Sequence, residues 1–257
     1  KPWPGRPRRS MCQGSFATSV KADGSGRGVF PSTPRTNPGC VLQRTTFMEI
    51  LPGRSRAHVL VLPGGRPVGT EAPRPWHASE LRMTAFTHTL GSRLRPHHIT
   101  VEQVRYRYRG WNGTHMSPVR DALEALDRAT RRGHTRIGLV GHSMGGRVAA
   151  HLASQGGVES VVALAPWWPE NDSEHIPIGR HLLVAHGTED HETDPRATQS
   201  QTMAARDRGV NARWHPLPGA GHLLLTDPGW WARTTADFLV CTLTSEPLTS
   251  PGDDHAS

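Results

Sequence analysis

The sequence predicts an α/β protein: a doubly wound, mostly parallel sheet with helices on both faces and no large cap domain. Three observations predict it. Short apolar runs such as Ala57–Leu62, Ile137–Val140, Val158–Ala165 and His181–Ala185 carry no polar alternation, as expected of strands buried on both faces. Amphipathic stretches separate these runs, so each strand is followed by a crossover helix and the strands lie parallel. At the centre, Arg136–Ala150 passes from an apolar run through Gly141-His142-Ser143-Met144-Gly145-Gly146 into an Ala/Val-rich stretch, which reads as strand, tight turn and helix.

Ala57–Leu62 is the first strand, closed by the turn residues Pro63-Gly64-Gly65-Arg66-Pro67. His77–Leu94 places Leu81, Ala85, Phe86, Leu90 and Leu94 at helical spacing. Ile99–Tyr108 alternates as a strand, and Arg109-Gly110-Trp111-Asn112-Gly113 turns the chain. Ser117-Pro118 opens a helix as cap and first-turn proline, with Val119, Leu123, Leu126 and Ala129 as its buried stripe and Arg131-Arg132-Gly133 at its end. The central strand and helix follow, then the strand Val158–Ala165, which ends in Pro166-Trp167-Trp168-Pro169. His181–Ala185 is the next strand, Asp194-Pro195 opens a helix, and Ala212–Leu217 is the last strand. A final helix follows Asp227-Pro228 and carries Trp230-Trp231, read as packing residues. The link from Ala165 to His181 is too short to hold a helical cap, so the site is expected to be open or covered only by loops.

Charge and composition bound the partners. The net charge is +8, but residues 1–47 hold eight Lys/Arg against the single acid Asp23, and the rest hold 22 Arg against 21 acids. The basicity therefore belongs to the tail, and the folded body is not expected to bind nucleic acid. Rich in Pro, Gly, Ser and Arg and without apolar period, residues 1–47 are read as a disordered basic tail, with Met48 standing just before the first fold signal. The folded domain is assigned to residues 48–246 and a flexible tail to 247–257. No apolar run approaches the ~20 residues of a membrane span, and no secretory h-region follows the basic start. Cys12, Cys40 and Cys241 have neither disulfide nor zinc spacing. A cytoplasmic location without membrane partner is expected; oligomeric state is not legible.

Glycines flanking Ser143, between an apolar strand and a small-residue helix, resemble the nucleophile elbow of the α/β-hydrolases. The resemblance implies that fold and a catalytic triad in the order Ser, acid, His. His186-Gly187-Thr188-Glu189-Asp190 looks like the family's acid turn, and Gly219-Ala220-Gly221-His222 like its histidine turn, so Ser143, Asp190 and His222 are the expected nucleophile, acid and base. Glu189, Glu192 and Asp194 are the fallback acids. Backbone N–H groups of Met144 and Gly65 are the expected oxyanion donors, with Arg66 the alternative to Gly65; a proline stands where the family has histidine in that turn. Trp167, Arg66 and His142 are the expected substrate-facing residues. The Pro166-Trp167 segment resembles that of small polyester hydrolases and dienelactone-hydrolase-like esterases. Together these imply a serine esterase acting on a small acyl substrate, with no cofactor and no metal. The alternatives are a thioesterase or amidase of the same chemistry, a noncatalytic binding protein on this scaffold, and a metal site from His186, Asp190 and His191, which lacks the rest of a shell.

Overall fold

A computed structural model describes residues 57–74, 76–223 and 226–244, all within one compact unit, Ile50–Ser257. The assignments for residues 1–47 and 247–257 lie outside the described residues. Six strands form one sheet: β1 (Ala57–Leu62), β2 (Thr100–Gln103), β3 (Arg136–His142), β4 (Val158–Leu164), β5 (His181–Gly187) and β6 (Asn211–Leu217). Their order is β2-β1-β3-β4-β5-β6, and every pairing is parallel. Among the described residues four α-helices connect them, α1 (Ala78–Leu94), α2 (Ser117–Arg131), α3 (Met144–Leu152) and α4 (Pro195–Asp207), and α5 (Pro228–Thr244) follows β6.

The strict alternation of strand side chains sends each strand's apolar residues to two separate cores. Val59 and Val61 of β1 pack with Leu90 and Leu94 of α1 and Trp231 and Leu239 of α5. Leu60 and Leu62 face the opposite way and pack with Ala122 and Leu126 of α2, Val148 of α3 and Ala205 of α4. This is why the central strands read as unbroken apolar runs. Truncating one such residue, Leu139 at 0% exposure, to alanine is expected to cost about 2–5 kcal/mol.

Several boundaries differ from expectation. β2 stops at Gln103 instead of Tyr108, because the Arg107 backbone N–H is taken by the buried Asp121 carboxylate of α2 at 2.7 Å. Val104 still donates to Val61, and Val104 and Tyr106 stay buried, so the segment keeps its inward face after the ladder ends. At α2 the cap is Met116, in a left-handed conformation, and Ser117 is the first helical residue. β6 begins at Asn211, and as an edge strand it accommodates Pro216, which has no N–H to give. By contrast, Asp194 caps α4 as its sequence implies, accepting from the N–H groups of Arg196 and Ala197. Trp231 is fully buried between α5 and the sheet. Between β4 and β5 the only helical element is a single 3-10 turn, Asp172–His175. No helix among the described residues is long and apolar enough to cross a membrane.

Candidate active site

The turn between β3 and α3 is built by exclusion of side chains. A Cβ on Gly141 would collide with the Gly145 carbonyl, one on Gly145 with the Leu62 carbonyl, and one on Gly146 would lie 2.6 Å from the Pro166 Cβ. With strand, helix and neighbouring loop this close, the chain can reverse only by placing Ser143 at φ 55°, ψ −120°, a conformation a side-chain-bearing residue rarely adopts. Both ends of that residue are fixed: its N–H donates to Leu164 at 3.0 Å, and its carbonyl accepts from Gly146 at 2.9 Å and Trp167 at 3.0 Å. The Met144 N–H, first in α3, has no partner within its helix.

The loop after β1 passes directly over this turn. A Cβ on Gly64 would lie 3.4 Å from the Ser143 Cβ, and one on Gly65 would collide with the Met144 side chain and the Arg109 carbonyl. The Arg66 N–H is already committed to the Arg109 carbonyl at 2.9 Å. Its side chain is exposed and lies 3.6 Å from Glu71. Arg66 thus belongs to the outer bridge with Gly110.

Two further turns pack back to back at the ends of β5 and β6. A Cβ on Gly187 would collide with the Ala220 carbonyl. The N–H groups of Thr188 and Glu189 donate across to Leu217 and Ala220 at 3.0 and 2.9 Å. This zip sets Asp190 against His222. The Asp190 Oδ2 accepts from His222 Nδ1 at 2.8 Å, His186 Nε2 at 3.0 Å and the Thr193 hydroxyl at 2.7 Å. Its Oδ1 accepts from the N–H groups of Glu192 and Thr193 at 2.9 and 3.0 Å. Burial alone would raise the carboxyl pKa, but these hydrogen bonds outweigh it and hold Asp190 well below the usual carboxylate range. An ionised carboxylate only accepts, so His222 Nδ1 carries a proton directed at Asp190. Of the fallback acids, Glu192 is exposed and 3.9 Å from His222 Nε2, Asp194 is spent on capping α4, and Glu189 is exposed.

His142 does not face an open site. It is buried, and its Nε2 donates to the His222 carbonyl at 2.8 Å, with the two rings 4.9 Å apart. Burial, then the neighbouring His222, pushes its pKa down to about 3, so the ring is neutral. The elbow and the Asp190–His222 pair are thereby joined through the residue next to Ser143. Among the described residues no hydrogen bond joins the Ser143 hydroxyl to His222.

Trp167 is half-buried beside the elbow, its ring at 6.3 Å and nearly perpendicular to that of Trp111. The buried Arg147 guanidinium lies 4.3 Å from the Trp111 ring centre and 5.1 Å from that of Trp167. Trp168 points the other way, buried, with its indole N–H on the Gly146 carbonyl at 3.1 Å. Thr193, Trp111 and Arg147 have no assigned site role in the sequence reading, and His186 appears there only as a ligand of the alternative metal site. His186 carried a signal, its position opening the acid turn; the other three are found only through tertiary contacts. A cavity of about 1340 Å³ lies between α1 and the β2 edge around Leu81, Thr84 and Val101, and Ser143 does not line it.

The dienelactone hydrolase family model matches residues 102–229, a span that holds Ser143, Asp190 and His222. No curated protein sequence matches the chain. Solved structures do. A serine hydrolase without a lid from Xanthomonas campestris is 18% identical, with TM-score 0.55, covering 76% of this chain and 86% of its own. A protein of unknown function from Agrobacterium tumefaciens, described as an α/β hydrolase, gives TM-score 0.61 at 17% identity, over 78% and 91%. Est1E from Butyrivibrio proteoclasticus, solved with ferulic acid bound, gives 0.55 at 13%, over 76% and 92%. The all-parallel six-stranded sheet, the strained serine turn and these likenesses agree: the chain has the α/β-hydrolase fold, and over residues 102–229 it is similar to the dienelactone hydrolase family.

Proposed function

We propose that the protein is a serine esterase that hydrolyses a small carboxylic ester through an acyl-enzyme, with Ser143 as nucleophile, His222 as base and Asp190 as the acid. The observation that carries this reading is the pairing of a strained, glycine-flanked Ser143 with an ionised Asp190 that orients His222. In the reaction His222 Nε2 takes the Ser143 proton as the hydroxyl oxygen attacks the acyl carbonyl. Asp190 holds the Nδ1–H tautomer and stabilises the imidazolium. The N–H groups of Met144 and Gly65 receive the oxyanion, each such donor contributing roughly 2.7–4 kcal/mol. His222 then returns the proton to the leaving alcohol, and water releases the acid by the reverse steps. The commitment of the Arg66 N–H to the Arg109 carbonyl supports Gly65 over Arg66 as the second donor. Trp167 forms the acyl wall, set by the edge-on Trp111 and by Arg147.

The test is a series of p-nitrophenyl esters of increasing acyl length, with a feruloyl ester added because Est1E holds ferulic acid, run on the protein and on Ser143→Ala. Turnover should fall by about 10⁴ or more in the variant, and a fluorophosphonate should label the parent chain alone. Thioester and amide analogues in the same series separate the related hydrolases. One observation favours a noncatalytic binding protein on this fold, the missing Ser143–His222 hydrogen bond. Catalytic hydrogen bonds often tighten only when substrate is bound. Absent labelling together with absent turnover would decide for the binding protein.

A further inference from the structure

Eight residues beyond Ser143, α3 turns His151 toward the 3-10 helix that follows β4. There His151, Asp172 and His175 bring their ligating atoms within 4.8 Å of one another. We infer that these three side chains form a site for a borderline divalent transition metal, with Zn²⁺ the first choice, which ties the 165–176 loop to α3.

The donor set and its spacing carry the argument. Two imidazoles and one carboxylate suit Zn²⁺, Co²⁺ or Ni²⁺, whereas Mg²⁺ and Ca²⁺ want several oxygen ligands. His151 Nε2 lies 3.3 Å from Asp172 Oδ1. That is long for a charge-assisted hydrogen bond, which is typically about 2.7–2.9 Å. It matches the ligand-to-ligand edge of a tetrahedron with metal bonds of about 2.0–2.1 Å, which is roughly 3.3–3.4 Å. A metal replacing the shared proton would therefore fit without moving either backbone. The His175 ring lies 3.9 Å from that of His151, tilted by 35°. It is exposed, so it can swing to direct a nitrogen inward and leaves a path for the ion to enter.

The carboxylate is held ready from behind. Asp172 is 1% exposed, with Oδ1 taking the Arg147 Nε at 2.6 Å and Oδ2 the Glu170 N–H at 3.2 Å. Such bonds orient a ligating carboxylate. The Arg147 charge does not veto a cation, because Glu170 also pairs with it at 3.1 Å. Arg147, Asp172 and Glu170 together carry one net negative charge. The three ligands sit 21 and three residues apart in sequence, without a recognisable spacing, which is why the sequence reading expected no metal.

The experiment uses the full chain and titrates Co²⁺ and Zn²⁺, reading the Co²⁺ visible bands, chelator competition and the thermal midpoint. With 16 histidines, weak binding elsewhere is certain, so the decisive comparison is with His175→Ala, an exposed position that should fold normally, and with His151→Gln. Expected is one tight equivalent with tetrahedral Co²⁺ bands and a midpoint that rises with metal. Each variant should bind at least about tenfold more weakly. Binding no tighter than about 100 μM, or equal affinity in both variants and the parent, overturns the site.

Discussion

The Nε2–H of His142 donates to the backbone carbonyl of His222 at 2.8 Å, so the residue preceding Ser143 holds the turn that carries His222. A carbonyl only accepts, which fixes the proton on Nε2, and burial keeps the ring neutral. His142 is therefore a positioning residue. His142→Ala should lower kcat about 10- to 100-fold with KM nearly unchanged, since a misplacement of about 1 Å costs on that order. His142→Gln, which can still donate, should recover part of the loss. Steady-state kinetics beside thermal melts check this: a variant that melts early but turns over normally would contradict it.

Asp190 Oδ2 is shared by two imidazoles, His222 at 2.8 Å and His186 at 3.0 Å. His186 is fully buried and must donate through Nε2, which leaves its Nδ1 without a partner among the described residues. Its role is to take up acceptor capacity on Asp190. Replacing it by Phe should make the carboxylate a stronger acceptor toward His222 and stabilise the imidazolium. The acid limb of kcat/KM should then move to higher pH, while stability falls by about 1–3 kcal/mol. A limb that stays in place or moves down in pH would show that His186 only packs.

Legibility in the sequence followed the range of the forces involved. The strand runs, the Asp194 cap and the glycine turn are set by local sterics and by burial on two faces, and each was readable. The end of β2 was not, because an α2 carboxylate fourteen residues away captures the Arg107 N–H and no local pattern encodes it. At the site, the motifs nominated Ser143, Asp190 and His222, and Asp190 and His222 do meet. The direction in which His142 and Arg66 point was not readable, since a motif names positions and tertiary contacts aim the side chains. His142 turns inward to a carbonyl 80 residues away, and Arg66 turns outward to Glu71.

Acid should destabilise the fold before it protonates Asp190. His58 is buried against Thr100 and stacks on His134; burial, then the His134 charge, pushes its pKa down to about 4, and that of His142 is pushed to about 3. Both values lie below the ~6.5 of an unfolded chain, so the unfolded state binds more protons in between. Their contribution is complete above about pH 6.5 and is lost as pH falls toward the folded values, at about 1.4 kcal/mol per pH unit for each histidine. Asp190 adds a loss of the same sign only below about pH 4, where an unfolded carboxyl begins to protonate. Urea melts from pH 8 to 5 should show this slope, and His58→Gln should remove one histidine's share. A flat profile over that range would mean that both rings titrate in the fold as they do in the unfolded chain.

Adjacent tryptophans with opposite orientations allow packing and substrate contact to be told apart. Trp168 is buried and hydrogen-bonded to Gly146, whereas Trp167 is half-buried with its N–H on the Ser143 carbonyl and its ring edge-on to Trp111. Trp168→Ala should cost about 3–5 kcal/mol through the cavity it leaves. Trp167→Ala removes a cation–π contact with Arg147, which contributes only about 0.5–2 kcal/mol, and keeps the backbone bond to Ser143. Its melting point should therefore shift little. If its ring is the acyl wall, KM for long or aromatic acyl esters should rise about tenfold while turnover of an acetyl ester stays within about twofold. Equal effects on every acyl length, accompanied by a loss of stability like that of Trp168→Ala, would assign Trp167 to packing.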